Sequence, residues 1–312
     1  MRCSPAICFA LVTVLAAALS LRPARATFSI AACEVPSGRC GVAVATNNLA
    51  VGHGAPFAQA WVGAGISQAE TNPCHAPVAL DALRQGDSTE NALSAALDAS
   101  GRCPDGYTDE DRQTTVVAPT GRAAAHTGSN ANEYAGQRIG EAVAVAGNGL
   151  TGPEVIEAMW ETYHASEGPL AERLLQALEA GYAAGGQRTG VLSAALRVAS
   201  PEGWPVDIDL RADFAPGEAI ARVRTAYNAN RARTMLFRAR RLSEDGPAIA
   251  LVESALERAP TWDRLWLAAA RLAAARGWEE MARRCACRFQ VLNPGWAASL
   301  SAAADGVRCS GG

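Results

Sequence analysis

Thr27 stands directly after Ala24-Arg25-Ala26, and that junction carries the chemistry this chain can be expected to do. Arg2 and an apolar stretch from Ala6 to Leu21 read as an export signal, followed by small residues in the A-x-A pattern of a peptidase site. A cut after Ala26 leaves a free Thr. Such a residue carries a hydroxyl nucleophile and its own α-amine, whose pKa of about 7.7–8.0 suits it to take the hydroxyl proton. Export would then also be the activation step. Ala16-Ala17-Ala18 offers a second A-x-A, but inside the apolar stretch. That stretch is shorter than the ~20 residues of a spanning helix, so it reads as a cleaved signal rather than an anchor. Exported proteins commonly start on a small or polar residue, so the junction alone leaves a non-catalytic terminus open.

Composition narrows the chemistry. All 28 basic residues are Arg. Without Lys, a Schiff base, a Ser-Lys dyad and a phosphate-loop Lys are unavailable, and any basic amine must be the N-terminus. A formal charge of -3 argues against a nucleic-acid partner. Beyond the leader no long apolar run follows, so no membrane span is expected after cleavage. Cys33, Cys40, Cys74, Cys103, Cys285, Cys287 and Cys309 remain once Cys3 and Cys8 leave with the leader. In an exported chain, periplasmic or extracellular, they read as disulfides: Cys33 with Cys40 across a hairpin, Cys74 with Cys103, and Cys309 with Cys285 or Cys287, one thiol staying unpaired. Cys285-Ala-Cys287 lacks partners at zinc-site spacing. Neither a metal nor a cofactor is expected.

The elements that must position Thr27 follow from periodicity. Thr27–Ala32 and Gly41–Thr46 read as a hairpin. Trp61–Ala69 reads as a strand with Gly63 and Gly65 allowing close backbone approach. Helices are expected over Pro77–Gln85 and after Asp87, which sits at capping-box spacing from Glu90. Gly101–Arg112 reads as a loop. Strands are expected over Thr114–Ala118, Arg122–Thr127 and Ala142–Ala146. Thr151-Gly152-Pro153-Glu154 then opens a helix to about Ala165, and another carries Leu170, Leu174, Leu175 and Leu178 on one face. Val191–Ala199 and Val206–Arg211 complete the strands. Past Ala215 the pattern is helical, and Ala259-Pro260-Thr261-Trp262 recurs as Asn293-Pro294-Gly295-Trp296 at an offset of 34 residues, the tetratricopeptide period. This degenerate tail suits a protein partner or a plain helical hairpin, and a homo-oligomer is compatible with the whole.

Within that frame, Asn148 follows a strand between Gly147 and Gly149 and is the first choice for a donor to an oxyanion, its competing role being a turn with positive φ. Ser29 shares a strand face with Thr27, placed to bond the amine or line the pocket. Asn47 and Asn48, after Thr46, end the neighbouring strand and could present amides to substrate or simply make the turn. His126 and Thr127 lie at a strand end, as substrate contacts or structural hydrogen-bonders. Asp207, Asp209, Arg211 and Asp213 alternate onto one face and read as an ion-pair row. His53 and His75 are given no role.

Several segments resemble the domain of unknown function 1028 family: Thr27-Phe28-Ser29-Ile30, Gly41–Ala45, Leu49–Gly52, Ala69-Glu70-Thr71-Asn72-Pro73, Ala125–Ser129, Ala146-Gly147-Asn148, Glu167–Leu170 and Gly185–Ala195. The resemblance spans about Thr27 to Asp213. That family is similar to N-terminal-nucleophile (Ntn) hydrolases. It implies an α+β fold, a four-layer αββα sandwich over residues 27–215, behind a signal at 1–26 and ahead of an all-α tail at 216–312. Its implied activity is an amidohydrolase acting on small, cell-wall-type amides, with Arg188 as a further substrate contact. Related sequences read Gly-Gly-Asp-x-Arg-Gly-x-Gln-Ser-Ala where this chain has Gly185-Gly186-Gln187-Arg188-Thr189-Gly190-Val191-Leu192-Ser193-Ala194. Gln187 and Leu192 therefore point to altered specificity or an inactive site. The alternative is an inactive envelope protein that keeps the fold and docks a partner through the tail.

Overall fold

Residues 26–132, 134–203 and 207–300 are described by a computed structural model; all of the expected leader but its last residue, Ala26, lies outside them, as do Val206 and Cys309. One unit ends at Val223 and a second starts at Arg224, close to the change of sequence pattern after Ala215. Among its described residues the first unit has ten strands: β1 (Thr27–Cys33), β2 (Cys40–Thr46), β3 (Pro56–Gln59), β4 (Gly63–Ala69), β5 (Arg112–Val117), β6 (Ala123–Thr127), β7 (Gly136–Gly140), β8 (Val143–Asn148), β9 (Ser193–Ala199) and β10 (Ile208–Ala212). They form two antiparallel sheets, ordered β10-β9-β2-β1-β8-β7 and β3-β4-β5-β6.

β1, β2 and β8 are buried along their whole length, which their small apolar side chains permit on both faces at once. One face, with Ala31, Val42, Val44 and Ala144, packs on Ala64, Ile66 and Val117 of the smaller sheet. Its opposite face meets α4 (Glu154–Ala165) and α5 (Leu170–Ala183). Leu174, Leu175 and Leu178 are fully buried there, each contributing about 1.5–3 kcal/mol. On the smaller sheet lie α2 (His75–Arg84) and α3 (Thr89–Asp98), through Ala79, Ala92, Leu93 and Ala96. A one-turn α1 (Val51–Gly54) follows β2.

Several boundaries differ from the sequence pattern for physical reasons. Trp61 adopts positive φ (64°), so the expected single strand is instead a tight β3–β4 hairpin. Gly65 is required where it stands: a Cβ there would lie 2.0 Å from the Thr115 carbonyl oxygen. Ser88, not Asp87, caps α3 by accepting from the Asn91 N–H at 3.2 Å. The helix after Thr151 starts without a side-chain cap, since Thr151 Oγ1 donates to Gly186 O at 3.3 Å. The stretch read as loop contains two 3₁₀ turns, Ala99–Arg102 and Asp109–Asp111, and its last residue, Arg112, opens β5 wholly buried. β7 is a short, half-exposed edge strand whose polar Gln137 and Arg138 hide it from a reading by hydrophobic alternation.

Disulfides join Cys33 to Cys40 and Cys74 to Cys103. Cys287 is disulfide-bonded, while Cys285 is a buried free thiol. The alternating row near β10 makes ion pairs, Asp209 with Arg197 at 2.9 Å and Asp213 with Arg211 at 3.5 Å, and Asp207 accepts from the Ser200 N–H at 2.7 Å.

The second unit is helical. α6 (Ala219–Ala239) enters it, followed by α7 (Asp245–Arg258), α8 (Asp263–Arg276), α9 (Glu279–Leu292) and α10 (Pro294–Leu300). Leu236, Val252, Leu256, Leu265, Met281 and Cys285 form its core. The two Pro-Trp segments stand at the starts of α8 and α10. No helix among the described residues is long and apolar enough to cross a membrane.

Candidate functional site

Antiparallel pairing sets Thr27 opposite Thr46 on β2 and opposite Asn148 on β8, and Thr46 opposite Ser193 on β9. Directly paired residues share a face, so four polar side chains form one row across the end of the larger sheet. All are buried, Thr27 at 3 % exposure and the others at 0 %. Because Ser29 reaches Gln68 of the smaller sheet, the row faces the space between the sheets.

Thr46 Oγ1 donates to Ala26 O at 2.7 Å. Its hydrogen being used there, the 3.0 Å contact between the Thr27 and Thr46 hydroxyls has Thr27 as donor. Asn47 Oδ1 accepts from Ala26 N at 3.1 Å, and Asn47 N–H donates to Ala26 O at 3.4 Å. Residue 26 is thus clamped from the β2 side. These bonds would be released by a cut between Ala26 and Thr27.

Behind the row runs an amide network between the sheets, and Gln113 orients it. Gln113 Nε2 lies 3.0 Å from both Gly136 O and Gly147 O and 2.9 Å from Thr127 Oγ1. Backbone carbonyls only accept, so the amide group is fixed with nitrogen toward them. Its oxygen must then accept, and does so from Gln68 Nε2 at 2.6 Å and Asn148 Nδ2 at 3.0 Å. Gln68 in turn presents oxygen to the Ser29 hydroxyl at 2.7 Å. The polarity therefore runs from two backbone carbonyls to Ser29 and Asn148. Asn148 Oδ1 is left buried without a partner among the described residues, as is Thr115 Oγ1 on the same face of β5. Gly149, at φ 61°, then turns the chain away.

Of the expected site residues, Thr27, Asn148, Ser29 and Thr127 come together, the last through Gln113. Ser29 bonds Gln68 rather than the backbone at residue 27. Asn47 holds residue 26. Asn48 is exposed and accepts through its carbonyl from Ser193 Oγ at 2.6 Å. Arg188 is exposed too, its backbone N–H donating to Gly149 O at 3.0 Å. Gln187 beside it is buried with Oε1 unpartnered among the described residues. His126 is on the opposite face of the smaller sheet. One residue from Thr127, it alternates outward and contacts Asp109 O at 2.9 Å.

That outer face carries a second polar cluster. His75, at the start of α2, is fully buried, with Nδ1 3.1 Å from Ser67 Oγ and 3.3 Å from Thr114 Oγ1, and Nε2 3.1 Å from Ser100 Oγ. Burial, and then the Arg112 guanidinium, lower its pKa from 6.5 to about 4. Arg112 bonds Asp105 and Glu70 O, both at 2.6 Å, and that bond holds the Asp105 carboxyl below its ordinary range. Ser67 pairs with Thr114 outward while Gln68 pairs with Gln113 inward, so the two clusters lie back to back on the same strands. Sequence reasoning misses Gln68, Gln113 and His75. Consecutive polar residues inside otherwise apolar strands, Ser67-Gln68 and Gln113-Thr114, are the available signal. Among the described residues no group of three or more His, Cys, Asp or Glu could hold a metal.

Comparison with known proteins agrees with the reach of the first unit. A family of unknown function, DUF1028, matches residues 27–222. The chain belongs to the DUF1028 family. The crystal structure of protein SPO2555 from Silicibacter pomeroyi, of the same family, is similar at 32 % identity and a TM-score of 0.58, covering 65 % of this chain and 84 % of that one. No functionally curated protein matches. The family start falls on Thr27 itself.

Proposed function

We propose that this DUF1028 protein is an exported amidohydrolase whose nucleophile is Thr27, exposed by removal of the leader, on an Ntn-type αββα sandwich. The observation that carries the reading is the position of Thr27. It heads β1, on the inter-sheet face, between Thr46 and Asn148, with the preceding peptide clamped and the surrounding network uncharged. The Cys33–Cys40 and Cys74–Cys103 bridges of the first unit suit an oxidising compartment.

In this reading the α-amine takes the Thr27 Oγ proton as Oγ bonds to the amide carbon, and the carbonyl oxygen becomes the oxyanion. The Thr46 hydroxyl and the Asn47 N–H, which serve Ala26 O in the uncut chain, are the donors placed to meet it. The C–N bond then breaks, the α-ammonium returns its proton to the leaving nitrogen, and water hydrolyses the ester on Thr27. Small cell-wall-type amides, with Arg188 at the rim, are the substrate class to screen.

The rival is a binding protein. It is favoured by a cleft of about 170 Å³ in the second unit, where Phe237, Trp262 and Leu265 lie among Arg233, Arg240 and Arg264. Intact mass and N-terminal sequencing of the exported protein decide first. A chain starting at Thr27 that turns over amides, with Thr27→Ala folded and inert, supports the enzyme. A blocked or different N-terminus, or undiminished activity in Thr27→Ala, refutes it.

A further inference from the structure

The spacing around Asn148 suggests a donor to an oxyanion, but the network turns this side chain the other way. Two backbone carbonyls fix Gln113, Gln113 takes the Asn148 amide nitrogen, and the atom left buried and unpartnered among the described residues is the acceptor Oδ1. The ladder shows what stands next to it. In an antiparallel sheet the N–H and C=O of one residue point to the same neighbour, and successive residues alternate. Both backbone groups of Ala26 point to β2, through Asn47 Oδ1 and Asn47 N. Those of Thr27 therefore point to β8, where its N–H meets the backbone carbonyl of its partner Asn148 in the ladder; once the chain is cut, the α-amine has further hydrogens for the side chain of the same residue. A freed α-amine at residue 27 lies on the Asn148 side.

Resting on the Thr27 reading, we infer that Asn148 Oδ1 accepts a hydrogen bond from the Thr27 α-amine and sets its basicity, with Gln113 as the positioning residue. An acceptor stabilises the ammonium over the free amine and orients the amine lone pair. Among the described residues no charge nearby competes for that role. Ser29, Thr46, Gln68, Gln113 and Thr127, which face the same space from β1, β2, β4, β5 and β6, are all neutral. The charged groups around them are Arg188, exposed beyond Gly149, and the Arg211–Asp213 pair near β10, at the far edge of the larger sheet.

The absence of Lys from the sequence makes the test direct, because reductive ¹³C-methylation labels the α-amine alone. The methyl shift against pH then reports the amine pKa, without any substrate. In the chain starting at Thr27, Asn148→Asp is expected to raise that pKa by about one unit or more, and Asn148→Ala to lower it. One unit is a tenfold change in the fraction of free amine. Gln113→Met, which releases the Asn148 amide, is expected to move it in the same direction as Asn148→Ala. Shifts of the same sign in both Asn148 variants, or none, overturn the inference. Where the Asp variant does not fold, Asn148→Ser decides: a lowered pKa supports the assignment and an unchanged one overturns it. N-terminal sequencing reads the parent proposal independently, so a chain that does not start at Thr27 refutes that proposal before any titration.

Discussion

His75 makes this protein sensitive to mild acid in a way that a single substitution should abolish. Buried between Ser67, Thr114 and Ser100, its ring holds a pKa of about 4 against 6.5 for an unhindered His. Between those values the unfolded chain binds a proton that the folded chain refuses. Stability therefore rises with pH across this window, is complete above about 6.5, and is lost as pH falls toward 4. Taking pH 7.5 to 4.5, linkage between the two pKa values gives a loss of about 2.5 kcal/mol from this one residue. Asp105, whose carboxyl is held low by Arg112, titrates below the window and adds its loss only in stronger acid. Urea unfolding followed by the β-sheet circular dichroism signal, at several pH values, measures the loss in wild type and in His75→Gln. The variant is expected to be weaker at neutral pH but to lose about 2.5 kcal/mol less on acidification. Equal acid losses in both proteins would refute the argument and with it the placement of His75 as a neutral core residue.

Other consequences are shorter to state. Gln113→Leu strands the donors of Gln68 and Asn148 between the sheets, and should cost about 2–6 kcal/mol in urea unfolding at about 1–3 kcal/mol per buried unpaired group; a cost near zero contradicts the orientation chain. Cys74 and Cys103 close a 29-residue separation, so their joint replacement by Ala should remove about 3.5 kcal/mol. It should also speed hydrogen exchange over 99–111, and unchanged exchange there would separate the bridge from the His75 cover. Cys285, buried with its thiol pushed up to about 11, should react with a thiol reagent only on unfolding, and rapid native labelling would show that α9 opens.

The hairpin of β1 and β2, the Leu face of α5 and the Cys33–Cys40 disulfide are legible in the sequence because each rests on local rules: alternation, 3.6-residue spacing and closure across a short turn. Thr27 and Asn148 are legible as separate candidates but not as neighbours, since their opposition depends on β8 returning beside β1 after more than a hundred residues. The role of Asn148 escapes a sequence reading for the same reason. Donor or acceptor is decided by Gln113, on another sheet, and ultimately by the carbonyls of Gly136 and Gly147. His75 looks like a loop residue because Pro73 and Pro77 flank it, whereas in the fold it heads α2 and is buried against Ser67, Thr114 and Ser100.

The two faces of β4 and β5 show why an uncharged site and a charged cluster occupy one small sheet. The nucleophile proposed here, which would use its own amine, works best when no fixed charge holds that amine protonated or strips it, and among the described residues the inter-sheet space supplies hydroxyls and amides. The charges needed to anchor the segment 99–111, Arg112, Asp105 and Asp109, are placed on the outer face, one residue away along the chain but across the sheet. Alternation by single residues, Ser67 out and Gln68 in, Thr114 out and Gln113 in, achieves the separation. It also links the faces, because His75 contacts the hydroxyls of Ser67 and Thr114, the chain neighbours of Gln68 and Gln113. On the proposed Thr27 reading, a rate loss in mild acid should therefore have two parts, titration of the Thr27 amine and disturbance of the amide network. His75→Gln removes only the second, so the pH–rate profile of that variant should retain the amine limb alone.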